Sequence, residues 1–190
     1  MIKPLFVRSV QVEIIDQTLL PGELKKILIN DHLQMAEAIK RLAIRGAPAI
    51  GIAAAYGLVL GLKAFKHSTK EQFYRKLNEI AELLNNTRPT AVNLHWALSE
   101  MKSEAEELKS LKVQTIWQKL WEKAAQIHAD DIDRCIRIGK NGNELVPDHA
   151  NILTHCNTGG LATGGMGTAL GVIISAHKAG KQINVFADET

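Results

Sequence analysis

The sequence predicts an α/β protein that opens with a small β plus helical region and then begins a parallel sheet. Three observations predict it. Val10, Val12 and Ile14 alternate with polar residues ahead of a turn and a second extended run from Leu24 to Ile29. Between Asp31 and Gly139, successive segments carry apolar residues at helical spacing. From Asn151 onward, a short apolar run, a Gly-rich loop, a helix and a second apolar run make one strand–helix–strand unit.

Each element has a local reason. Leu20-Pro21-Gly22-Glu23 is the turn of the opening strands. Asp31, with Gln34 three residues on, caps a first helix that buries Met35, Ile39 and Leu42 and stops at Arg45-Gly46. Pro48 opens a second, Ala/Gly-rich helix reaching about Phe65. Its uncharged stretch, Gly46 to Leu62, is shorter than the roughly 20 residues a membrane span needs, so it reads as a core helix. A third helix covers about Lys70 to Asn86. Pro89-Thr90 starts a fourth that runs to about Leu111. A fifth, about Gln114 to Gly139, turns Ile116, Leu120, Ala124 and Ile127 inward, and Lys140-Asn-Gly-Asn143 with Pro147-Asp148 reads as loop.

Asn151 to Cys156 then reads as a buried strand, Asn157 to Thr168 as a Gly-rich loop, and the residues up to about Lys178 as a helix. Ile183 to Ala187 is a second strand ending at Asp188-Glu189. The expected organisation is a β-hairpin and helical domain over residues 1–145, followed by the first unit of a Rossmann-like parallel-sheet domain over 146–190. Two parallel strands and one helix cannot bury both sheet faces. The sequence therefore predicts that further sheet lies on another segment or another chain.

Of the 190 residues, 46% are hydrophobic and 23% charged, which is ordinary for a globular protein. A net charge of +3 does not call for nucleic acid and suits a small anionic ligand. The two cysteines, Cys135 and Cys156, form no CxxC and no paired Cys/His spacing, so neither a metal site nor a disulfide scaffold is expected. Reduced thiols and an N-terminus without a signal-type apolar run point to the cytoplasm.

Two arginines stand out. Arg45 precedes Gly46-Ala47-Pro48 and Arg88 precedes Pro89-Thr90, which places each at the start of a Pro-opened helix. A cation there opposes the macrodipole by about 0.3–1 kcal/mol, so a compensating anion is expected. Phosphate suits both backbone N–H groups and guanidinium. The plainer alternative has each arginine closing the preceding helix.

Cys156 ends a predicted parallel strand, where ligands of open α/β sheets bind, and a loop with Gly159, Gly160, Gly164, Gly165 and Gly167 follows it. A thiol beside a helix start or an arginine is a candidate proton shuttle; the plainer alternative is a buried, inert cysteine. Cys135, inside a helix, reads as packing. His155 neighbours Cys156 but points to the opposite strand face. His128, with Asp130, Asp131 and Asp133, reads as a solvated helix face, and His95 falls in the first turn of the fourth helix. Gly165-Met-Gly167 with Asp188 hints at a dinucleotide site, but Leu170 stands where the third glycine belongs, so no nucleotide cofactor is expected.

Three segments together carry a resemblance: Arg45-Gly-Ala-Pro-Ala-Ile-Gly51, Arg88-Pro-Thr-Ala-Val-Asn-Leu94, and Leu153-Thr-His-Cys-Asn-Thr-Gly159 with Ala187-Asp-Glu-Thr190. Asp16-Gln17 and Leu20-Pro-Gly-Glu23 fit as well. The chain resembles, over essentially its whole length, the family that groups methylthioribose-1-phosphate isomerase of methionine salvage with the α, β and δ subunits of initiation factor 2B and with ribose-1,5-bisphosphate isomerase. The resemblance implies a homodimer acting on 5-methylthioribose 1-phosphate without metal, nucleotide, nucleic acid or membrane. It implies that Arg45, Gly46, Ala47 and Arg88 bind substrate and that Cys156 is catalytic. It also implies a catalytic aspartate beyond residue 190, so that these residues alone are inactive. The other outcomes are an isomerase of ribose 1,5-bisphosphate or 5-deoxyribose 1-phosphate, or a non-catalytic factor subunit.

Overall fold

A computed structural model describes residues 3–188. The predicted Glu189 end of the last strand, and Thr190, lie outside them. Three antiparallel strands, β1 (Leu5–Arg8), β2 (Gln11–Ile15) and β3 (Lys26–Ile29), form a sheet with β2 in the middle. Val12 faces Val7 on one side and Ile29 on the other, and Val12, Ile14 and Ile29 are buried. β1 is an addition to the expected hairpin. Its run, Leu-Phe-Val-Arg, is too short to announce itself by periodicity.

The helices pack around α2 (Ala47–Leu62), in which every residue from Ala49 to Leu62 is buried. Together with the 3-10 turn that extends it to Phe65 it is long and apolar enough to cross a membrane by composition, but α1 (His32–Lys40), α3 (Lys70–Asn85), α4 (Val92–Glu107) and α5 (Val113–Leu145) cover it, as a core helix requires. Asp31 caps α1 through the Gln34 amide at 2.8 Å, as its sequence predicts. Thr69 and Gln72 add a capping box at α3. Trp117 on α5 donates its indole N–H to the Val59 carbonyl of α2 at 3.0 Å, which satisfies a buried polar group.

Three boundaries depart from the sequence reading. α1 ends at Lys40, and the chain turns through Leu42, which adopts φ +65° and is 38% exposed rather than buried. α4 starts at Val92, so Pro89 lies in the turn ahead of it and does not open the helix. α5 runs to Leu145, through the predicted loop. The Asn and Gly residues that suggested a break let α6 (Ala169–Lys178) lie close. A Cβ on Gly139 would meet Ser175 Oγ at 2.6 Å, and one on Gly142 would meet Val172 Cγ1 at 2.8 Å.

β4 (Ala150–Thr154) and β5 (Ile183–Ala187) pair in parallel, with Ile152 opposite Val185, and α6 packs on them. The order strand–helix–strand is as predicted, but β4 ends at Thr154, two residues short of the expected Cys156, and none of its residues is buried, because the described residues cover one face of the pair alone. Leu153 and Phe186, paired across the sheet, are 75% and 59% exposed.

Candidate functional site

The Gly-rich loop after β4 folds back on itself through a bridge between Gly159 and Gly167. Thr158 organises the turn. Its carbonyl accepts from the Thr168 amide at 2.9 Å, and its hydroxyl accepts from the Leu170 amide at 3.2 Å. The loop then reaches the start of α2, where Gly46 has φ +95°, and Ala162 packs directly on it. Gln17 holds the same stretch, donating from Nε2 to the Leu161 carbonyl at 2.9 Å.

This contact creates a cleft of about 380 Å³. Arg45, Gly46, Ala47, Arg88 and Cys156, the five residues singled out from the sequence, all line it. The sequence reading missed the remaining wall: Leu42, Pro48, Asn157, Ala162, Thr163 and Thr168. Asn157, Thr163 and Thr168 had a signal, since they share the loop with Cys156. Leu42 had none, because its spacing matches the buried face of α1.

The electrostatics of the cleft follow from its parts. Gly46 caps α2 and Thr168 caps α6, and both face the cleft; α2 has no side-chain cap, whereas the Thr158 hydroxyl takes the Leu170 amide in the first turn of α6. Two helix starts therefore converge there, but the second is that of α6 rather than α4. Arg88 contributes its guanidinium alone. Both arginines are exposed, and among the described residues neither has a carboxylate within ion-pair distance. Among the described residues, no acidic side chain lines the cleft. Positive charge without a partner among the described residues, beside the open first turn of α2, is an arrangement suited to phosphate.

Cys156 is exposed and adopts φ +70°, a conformation rare for a residue with a side chain. Such strain costs about 1–3 kcal/mol and persists where surroundings impose it. Here the neighbours do so: Thr154 and Thr158 hydroxyls meet at 3.4 Å across the turn, and His155 Nδ1 lies 2.6 Å from Asp188 Oδ2 on the facing strand end. His155 is thus occupied with Asp188 and does not line the cleft. Cys135 is buried, as a packing residue should be.

His95 does not reach Arg88's cleft. Its Nδ1 lies 3.3 Å from Asn85 Oδ1, and it lines a separate cavity of about 370 Å³ between α3 and α4. The segment from His128 to Asp131 is not a solvated face. His128 packs edge-on to Tyr56, with ring centroids 6.2 Å apart, and burial pushes its imidazole below the ordinary value. Asp131 Oδ2 accepts the Gly164 amide at 2.6 Å.

A bare helix start, two guanidinium groups and an exposed thiol two residues past a strand share one cleft of this α/β protein. The chain belongs to the initiation factor 2 subunit family, whose pattern matches residues 43–190. It is 50% identical over 183 residues to the methylthioribose-1-phosphate isomerase of Trichlorobacter lovleyi, covering 96% of this chain and 53% of that one. It is 45% identical over 188 residues to the enzyme of the same name from Acetivibrio thermocellus, covering 99% and 55%. Among solved structures it is similar to 5-methylthioribose 1-phosphate isomerase from Pyrococcus horikoshii (TM-score 0.90, 33% identity, 98% of this chain and 60% of that one). It is also similar to the delta subunit of translation initiation factor eIF-2B from A. fulgidus (TM-score 0.86, 37% identity, 100% and 55%). The chain spans about half the length of the curated relatives it matches.

Proposed function

We propose that the chain contributes the phosphate grip and the thiol of a sugar-phosphate aldose–ketose isomerase that converts 5-methylthioribose 1-phosphate to 5-methylthioribulose 1-phosphate. The observation that carries this reading is the cleft itself, where two guanidinium groups without an ion-pair partner among the described residues and the uncapped start of α2 share one cleft with an exposed thiol. The names of the relatives at 45–50% identity support the choice of substrate.

In this reading the phosphoryl group rests on the α2 start at Gly46 and Ala47, between Arg45 and Arg88. The sugar is then held against Cys156. Isomerisation must protonate the ring oxygen, open the ring and move hydrogen from C2 to C1. With Cys156 as base, the thiolate takes the C2 proton of the ring-opened C1 oxocarbenium and the electron pair forms an enol 1-phosphate; the proton is then returned at C1, and the C2 hydroxyl gives its own proton back to the conjugate base of the acid that opened the ring, leaving the C2 ketone. The acid for the ring oxygen is not among the residues lining the cleft. By the family resemblance it is an aspartate beyond residue 190. The assembled enzyme works as a homodimer in the cytoplasm, and the division of the chain near residue 145 separates a helical domain from the catalytic sheet.

The likeness to an initiation-factor subunit favours a second reading, a regulatory subunit with the same fold and no chemistry. Retention of Cys156 together with both arginines on one cleft argues for the enzyme. The deciding experiment replaces Cys156 by Ala in the intact protein and measures turnover and binding of 5-methylthioribose 1-phosphate. Loss of about 10²–10⁴-fold in kcat with binding retained is expected for a proton-transfer group. Near-normal turnover would end the catalytic assignment. Absence of turnover in the unaltered protein would favour the regulatory subunit.

A further inference from the structure

Asp131 is a half-buried carboxylate on α5 that, among the described residues, has no cationic partner within ion-pair distance. A carboxylate so placed needs hydrogen-bond donors. Its donors are the Gly164 amide at 2.6 Å and, weakly, the Cys135 thiol at 4.0 Å. An amide donating to a carboxylate is about twice as strong as a neutral pair. The rest of the loop follows from that anchor. Thr163, 2% exposed, accepts the Gly165 amide on its hydroxyl at 3.3 Å. Gly165 lies so close to α5 that a Cβ there would meet Ile132 Cα at 3.2 Å, and one on Gly164 would meet His128 Cδ2 at 2.7 Å. On the other side of the same stretch, Gln17 holds Leu161. Between the two anchors sit Ala162 and Thr163, which line the cleft, and Ala162 is the residue that bears on Gly46.

We propose that Asp131 is a positioning residue of the cleft: its grip on the Gly164 amide presses the Gly-rich loop against the start of α2, and so sets the wall that faces the phosphate. Its part in the isomerase rests on the function proposed above; its grip on the loop does not. Asp131 does not line the cleft itself, and acts through Gly164, Thr163 and Ala162.

The test uses the full-length protein with Asp131→Ala and Asp131→Asn. The readouts are steady-state kinetics with 5-methylthioribose 1-phosphate, affinity for inorganic phosphate, and amide hydrogen exchange of residues 159–167. Asp131→Ala should raise KM and the phosphate dissociation constant about tenfold or more, the scale of a lost charge-assisted bond. It should speed loop exchange by a similar factor and leave kcat within about threefold, since no group that handles the proton is removed. Asp131→Asn keeps an oxygen that can accept from the same amide and should restore KM to within about threefold of the unaltered protein. Unchanged loop exchange and unchanged phosphate affinity in Asp131→Ala would overturn the proposal. If that variant does not fold, the unaltered protein decides, because the Gly164 amide must exchange among the slow amides, and fast exchange there overturns the anchor. Absence of isomerase activity in the unaltered protein would instead overturn the functional reading, leaving phosphate affinity and loop exchange to judge Asp131.

Discussion

Gly46 and Ala162 touch where the helical part of the cleft meets the loop part: a Cβ built on Gly46 would stand 2.5 Å from Ala162 Cα. Gly46 also holds φ +95° and ψ 135°, which side-chain-bearing residues rarely adopt. Gly46→Ala therefore meets two penalties at once, about 1–3 kcal/mol of backbone strain and a clash that displaces the loop. The expected outcome is a fall in Tm of several degrees and loss of phosphate binding, read by thermal melting and calorimetric titration. A variant that melts and binds like the parent would show that this contact does not build the cleft.

Arg45 and Arg88 lie on one cleft and have no acidic partner among the described residues, which suits each to meet an anion. Replacing either by Ala should raise KM about 10–100-fold, the scale of a hydrogen bond to a charged group, with a smaller effect on kcat. Arg→Lys should recover part of the loss, because a lysine supplies charge but not two parallel donors. Equal KM for parent and Arg88→Ala would place the phosphate elsewhere.

Asp16 is 5% exposed and holds the turn that leads to Arg45: Arg41 Nη2 donates to it at 2.9 Å and the Thr18 hydroxyl at 2.6 Å. Burial pushes its carboxyl up, but the bonds from Arg41 and Thr18 outweigh burial and hold it below the ordinary 3.8. A folded value below the unfolded one means the stabilisation is complete above about pH 3.8 and is lost as pH falls through the folded value. Asp16→Asn should cost about 1–2 kcal/mol at pH 7, at the modest end because Arg41 is 38% exposed. Urea unfolding at pH 7, 4 and 3 checks the sign: the gap between parent and variant should shrink on acidification. A gap independent of pH would contradict it.

The parts of this molecule legible in the sequence are those where residue type and local geometry agree. Asp31 reads as a cap and is one, and the inward face of α5 carries Ile116, Leu120, Ala124 and Ile127 as its spacing demands. Arg45 and Cys156 are legible because each abuts a break in periodicity, one just before a helix and one two residues past a strand. The misreadings come from tertiary context. Leu42 has the spacing of a buried residue but sits in a left-handed turn. Asp131 has the look of a surface acid, and only the approach of a loop 33 residues away makes it an anchor. Arg88 reads as the start of a Pro-opened helix, but α4 begins only at Val92, and the helix starts that share the cleft with it are those of α2 and α6.

Gly142 was the most misleading residue of all, for it read as loop and proved to be the point where α5 receives Val172 of α6. Gly142→Ala gains about 1 kcal/mol of helix propensity but overpacks the contact, a cost of about 1–3 kcal/mol. Val172→Ala alone removes methyl groups from a half-buried site and costs roughly 1 kcal/mol. Combined, the two changes relieve each other, because the shorter side chain vacates the space the new Cβ needs. Denaturant unfolding of both single variants and the double should give a coupling of about 0.5–3 kcal/mol in favour of the double. The same cycle should appear in phosphate affinity, since α6 brings Thr168 to the cleft and any tilt of the helix moves it. Strict additivity in both measurements would mean that α5 and α6 adjust freely, and that the glycine serves no close approach.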